Sequence, residues 1–354
     1  MTERRRRTWG GTVIECLGAA ALGGMVLLSV QGCAPASSAA TDTGGEHSLA
    51  ISDARAAYDS YLAASNAAAA QGNQAQGLAL AADAQWAVLH AQYTALASGG
   101  TPVPQYKYGT PVFYVPALAG YPQWFMVATT RTQIAGTGTG SAGTAAGAAT
   151  RTIMVFERSA AGQPWTLNGA ATLHRALPTI ATDRDGYAIS VSHSDTGLLL
   201  PPDVVGPSQA GVVDEGPANP SAAVVGSGPL TTGLYAAQAA QSSSDSAHGW
   251  YYQWLLAGSP FDQFGLQTTD GGALVLYGMY LNTTTEHPGL VSGSPIPVPA
   301  NFTPLLAAPT EVGYHAVYAN WTFQYAAIDP PASAKTAKVQ VIAAGGGPSY
   351  GHAY

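Results

Sequence analysis

Apolar residues recur at helical spacing early in the chain and then at alternating spacing. Ile51, Ala54, Tyr58, Tyr61 and Leu62 share one helical face, with Ser52 and Asp53 placed to start it. After "QGNQ", the steps Ala82, Trp86, Leu89, Tyr93, Leu96 predict a second helix, which Gly99 and Gly100 would stop. The texture then changes to β-formers of period two: "TPVFYVP", "QWFMVATTRTQ", "RTIMVFER" and "PWTLNGAATL". A hairpin, "TIATDRDGYAISV", is expected to turn at Asp183–Gly186. Residues 196–228 read as a loop-rich connection, with room for one weak helix, around Pro201, Pro202, Pro207, Pro217 and Pro220.

The order then repeats. A helical "PLTTGLYAAQAAQ" leads to "GWYYQWLLAG" and to strand candidates "FGLQTT", "GGALVLYGMYLNTT", "YHAVYANWTFQYAAI" and "KVQVIAAG". The predicted fold class is therefore α+β, with two units, each packing N-terminal helices on a curved antiparallel β-sheet. The first spans residues 49–195 and the second 229–345, and 346–354 reads as a flexible tail.

The N-terminus has a different pattern. Arg4 to Arg7 precede an apolar run from Cys16 to Val30, too short for the roughly 20 residues of a membrane-spanning helix. Such a run between a basic cluster and small residues reads as a targeting segment. "Val30-Gln31-Gly32-Cys33" resembles the lipobox of bacterial lipoproteins, although Gln31 stands where a small or hydroxylic residue is usual. That resemblance implies a signal peptide over 1–32, cleavage before Cys33 and lipid attachment on its sulfur. Residues 33–48 would then be a flexible tether. The alternatives are an ordinary secretory signal cut near Ala34 or Ala36, or an uncleaved anchor. The chain has two cysteines, and removal of Cys16 with the signal would leave Cys33 no intrachain partner.

Charge narrows the function classes. Only 9% of residues are charged, with 13 Lys+Arg against 20 Asp+Glu. Losing residues 1–32 would take four arginines and two glutamates, leaving nine bases and 18 acids. A nucleic-acid binder needs a basic stripe, and the folded body offers none. Contact with the membrane is expected through the lipid anchor alone.

Motifs for catalysis fail on context. Gly138–Gly143 matches G-x-G-x-x-G, but a strand candidate follows it where a nucleotide fingerprint needs a helix. Ser192, His193, Ser194 and Asp195 are adjacent, whereas a triad is assembled from distant segments. The eight histidines show no zinc spacing, and Asp183-Arg184-Asp185-Gly186 lacks the remaining acids of a calcium loop. No catalytic residue, metal site or cofactor is therefore expected, although paired carboxylates brought together in space escape such a reading. The dense aromatic group Trp250, Tyr251, Tyr252, Trp254 is the candidate ligand surface, with Trp250, Tyr251 and Trp254 as its site residues. Its alternative is core packing between helix and sheet.

"YPQWFMVATT", "TIMVFERSAAGQPWTL", "GPLTTG" and "DGGALVLYG", taken in order, resemble an uncharacterised family of actinobacterial lipoproteins that pair a lipobox with one long domain of unknown function. The likeness runs over roughly residues 50 to 345. It implies an extracytoplasmic, membrane-anchored protein and assigns no activity. The expected function is a binding or scaffold module for a small ligand or an envelope protein. An envelope hydrolase acting on cell-wall glycan is the alternative.

Overall fold

The computed structural model describes residues 49–134, 147–258, 260–289, 294–307 and 313–354. The arginine cluster, the apolar run, Cys33 and the tether lie outside the described residues, as does the glycine motif Gly138–Gly143.

Three helices open the fold: α1 (Ile51–Gln71), α2 (Gln74–Leu78) and α3 (Asp83–Ala97). Ala54, Tyr58 and Tyr61 are buried as their spacing predicts, and Gly72 ends α1 in the left-handed region at φ 62°. In α3 the expected stripe splits. Tyr93 packs with Ala69 and Val103, but Trp86 is 43% exposed and stacks on His90 at 4.9 Å. The residues α3 buries include Ala84, Val88, Ala91 and Ala95. Their small side chains let the helix lie close to the sheet, with Ala84 and Val88 over Gly278 and Gly347.

Among the described residues ten strands follow, with two α-helices between the fifth and sixth. They are β1 (Tyr106–Tyr108), β2 (Val112–Tyr114), β3 (Gln123–Gln133), β4 (Thr150–Arg158) and β5 (Thr166–Leu173). After α4 (Pro202–Glu215) and α5 (Thr232–Ala247) come β6 (Tyr251–Gly258), β7 (Phe264–Gln267), β8 (Ala273–Glu286), β9 (Ala316–Asp329) and β10 (Gln340–Ala353). The strand after the glycine motif is as expected: β4 pairs antiparallel with β3, Thr150 opposite Arg131. "TIATDRDGYAISV" forms only isolated bridges, such as Thr182 with Ala188, around its turn.

The two repeating halves share one sheet, ordered β1-β3-β4-β5-β10-β9-β8-β6, with β2 also on β3 and β7 also on β8. Each half is an antiparallel meander, and the meanders meet where Ala343 and Ala344 pair with Leu173 and Thr172. The described residues of both halves cluster as one compact unit, so the expected division into two units is not what the sheet shows. The reason is burial. One apolar cluster joins Met126, Ile153 and Val155 of the first half to Phe264, Leu266, Leu274 and Leu276 of the second. Gln324 of β9 also donates to Gln85 of α3 at 3.1 Å. Neither meander would keep that surface dry alone.

One further expectation is corrected and another is made definite. Residues 346–353 are not a tail but the second half of β10, paired with β9 as far as Ala353 opposite Val317. The connection 196–228 holds the 14-residue α4, despite Pro207 inside it. Pro202 stands at its start, where a missing N–H costs nothing, and Val205, Val212 and Val213 bury against the sheet. Gly206 is required there, because a Cβ would lie 2.9 Å from the Met279 sulfur. Among the described residues no helix is long and apolar enough to cross a membrane.

Candidate functional site

The sheet carries α5 over the face of β6, β8 and β9, and the gap between them is a cleft of about 450 Å³. Strand periodicity decides which side chains enter it. Register places Leu281 opposite Trp321, Thr283 opposite Ala319 and Thr285 opposite Val317, all on the cleft side. Leu234, Ala237, Gln238, Gln241 and Asp245 recur along one face of α5 and form the opposite wall. The segment Ile296–Phe302 closes one end, with Phe302 edge-on to Trp321 at 5.1 Å.

The polar groups are few and placed. Asp245 is 5% exposed, and its carboxylate accepts from the Gln241 side-chain amide at 2.8 Å and from the Thr285 hydroxyl at 3.3 Å. The Tyr252 hydroxyl donates to Gln238 at 2.5 Å. Burial, with the charge of Asp245 adding to it and a hydrogen bond to Thr283 opposing it, pushes the Tyr252 hydroxyl up to about 12.

Of the three aromatic candidates only Trp250 enters this cleft. Trp250 lines the cleft, between His248 stacked at 4.9 Å and His287 at 6.4 Å. Tyr251 belongs to the other face of β6 and is 53% exposed. Trp254 is half-buried against the core beneath α4, its indole N–H donating to the Val213 carbonyl at 3.1 Å, and it lines an open surface pocket with Tyr251. Strand alternation carried this signal, since Trp250, Tyr252 and Trp254 point one way and Tyr251 the other. Tyr252, part of the aromatic group seen in the sequence though not one of its three site residues, also lines the cleft, whereas Asp245, Trp321 and Phe323 are missing from the sequence reading. The last two show only as alternate positions of one strand.

A second group is invisible in the sequence because its members are 74 and 105 positions apart. Asp83, Glu157 and Asp262 bring carboxylate oxygens within 4.8 Å of one another. The Asn168 amide nitrogen donates to both Asp83 (2.8 Å) and Glu157 (2.6 Å). Asp83 opens α3 at φ 49°, a left-handed conformation that Asp tolerates better than most residues. Burial, then the charges of Asp262 and Asp83, push Glu157 up to about 7, while the Asn168 bond pulls the other way. Burial also raises Asp83. The adjoining cavity of about 20 Å³ has room for about one water. A sugar ring does not fit there. Three carboxylates also fall short of the roughly six to eight oxygens that calcium takes.

The other tested motifs have structural uses. Asp183 accepts from the N–H groups of Asp185 and Tyr187, both at 2.9 Å, which makes it a turn residue. Asp195 accepts from the Gly197 N–H at 2.7 Å, away from any triad geometry.

Fold and site define a class: an α+β protein with one large antiparallel sheet and an aromatic cleft roofed by a helix. The chain belongs to the family described as Domain of unknown function (DUF8094), whose model matches residues 48–347. A relative in Streptomyces avermitilis named "Uncharacterized lipoprotein" is 28% identical over 197 residues, 55% of this chain and 54% of that protein. The chain thus matches about half the length of this curated relative. No solved structure matches. The names found indicate an uncharacterised lipoprotein family, and none of them indicates catalysis.

Proposed function

We propose that this chain is an envelope lipoprotein that holds a small, largely apolar ligand in the cleft beneath α5. Cys33 is its point of lipid attachment, and the folded body faces outward from the membrane. The observation that carries the reading is the cleft itself. At about 450 Å³ it falls in the size range of small-molecule sites, and aromatic and aliphatic side chains surround a few fixed polar groups. The relative named as a lipoprotein and the residues around Cys33 support the location.

Trp250 lines the cleft, so its substitution tests the site. Native mass spectrometry of the protein extracted from its own membrane should find a bound small molecule that Trp250→Ala releases while the variant still unfolds cooperatively. Equal ligand retention by the variant would refute the assignment to this cleft. For the anchor, palmitate labelling should vanish in Cys33→Ser, and its survival would remove that part of the reading.

A further inference from the structure

We propose that the cleft takes an apolar ligand carrying one positive charge, an amine or quaternary ammonium group, with Asp245 as its counter-ion. This rests on the reading of the cleft as a binding site and adds the ligand's charge. Three independent observations lead to it.

The first is the setting of Asp245. Its carboxylate is buried and accepts one hydrogen bond at each oxygen, from the neutral groups of Gln241 and Thr285. An ionised carboxylate has about four acceptor positions, so about two are left for a ligand. The second is the helix. Asp245 lies in the last turn of α5, which ends at Ala247, where the helix dipole already presents negative potential. An acid there is unfavourable to the helix, and a bound cation would relieve both the burial and the dipole. The third is the distribution of charge along the chain. Residues 185–334 contain no lysine or arginine and eleven Asp or Glu, and this stretch supplies every residue lining the cleft. The aromatic faces of Trp250, Tyr252 and Trp321 complete a setting in which cations bind over π-systems. A fatty acid or an anionic headgroup would meet a buried carboxylate and no base. The two histidines beside Trp250 already contact the backbone carbonyls of Ser244 and Ser294 through one ring nitrogen each.

The test compares three probes of equal chain length, decyltrimethylammonium, decanol and decanoate, below micelle formation, by titration calorimetry on the full chain. The expected order is ammonium tightest, at least about tenfold over decanoate. In Asp245→Asn the ammonium advantage over decanol should collapse while the decanol affinity holds. Asp203→Asn, which removes an exposed acid on α4, should leave the advantage intact. The wild-type comparison needs no variant to fold. Decanoate binding as tightly as the ammonium probe, or an ammonium advantage that survives Asp245→Asn, overturns the charge inference alone. No binding by any probe overturns the cleft reading beneath it.

Discussion

Replacing Glu157 with Gln should stabilise this protein at pH 8 and leave it nearly unchanged at pH 4. Glu157 is 7% exposed and faces Asp83 and Asp262. Its carboxyl is held near 7 instead of 4.5, so folding favours the protonated form. For an acid raised in this way, the stabilisation is complete below its unfolded value and is lost as pH rises through the folded one. Each tenfold change in protonation is worth about 1.4 kcal/mol, so ionising Glu157 costs the folded state about 3 kcal/mol by pH 8. Glutamine keeps the shape and an oxygen for the Asn168 donor but cannot ionise. Urea unfolding between pH 4 and pH 8 should show the wild type losing stability across that window. Glu157→Gln should lose about 3 kcal/mol less. The slope that persists belongs chiefly to Asp329, which is fully buried against the Leu200 N–H and likewise pushed up to about 7, with Asp83 and Asp214, also raised by burial, adding to it. A variant no more stable than the wild type at pH 8 would refute the account of the carboxylate cluster.

Deleting residues 346–354 should prevent cooperative unfolding or lower the melting temperature steeply, because it strips half of the β9–β10 ladder; a melt like the full chain's would mean that the pairing is dispensable. Tyr277→Phe should cost about 1–3 kcal/mol, read by urea unfolding, since the buried Tyr277 hydroxyl donates to Gln209 at 2.7 Å and the variant leaves that amide oxygen unsatisfied. Phe156→Ala should cost about 3–5 kcal/mol by the same measurement, because the ring is fully buried, stacked on Phe125 at 5.0 Å and edge-on to Tyr58 and Tyr61.

Local pattern alone determined much of this protein. Period-two runs predicted β3, β4, β5, β8 and β9, and helical spacing predicted α1, α3 and α5, because a strand or helix that buries one face writes that face into its own sequence. It showed α4 only as one weak helix in a loop-rich stretch, because Gly206 and Pro207 read as loop until Met279 and Tyr277 are seen to crowd the space above Gly206. Nor could it show that the last nine residues mostly continue β10. "GGGPSYGHA" is poor in β-formers, and the strand forms because β9 offers a ladder along its whole length.

The joining of two meanders at Ala343 and Ala344, and the meeting of Asp83 with Glu157 and Asp262, are decided by which surfaces must be buried together. The same holds for the cleft. The chain wrote down an aromatic cluster and a stretch of 150 residues without lysine or arginine, but only the sheet sent Trp250 into the cleft, Trp254 against the core and Tyr251 to the opposite face. Side-chain direction is fixed by pleat and partner strand, and those belong to the tertiary structure.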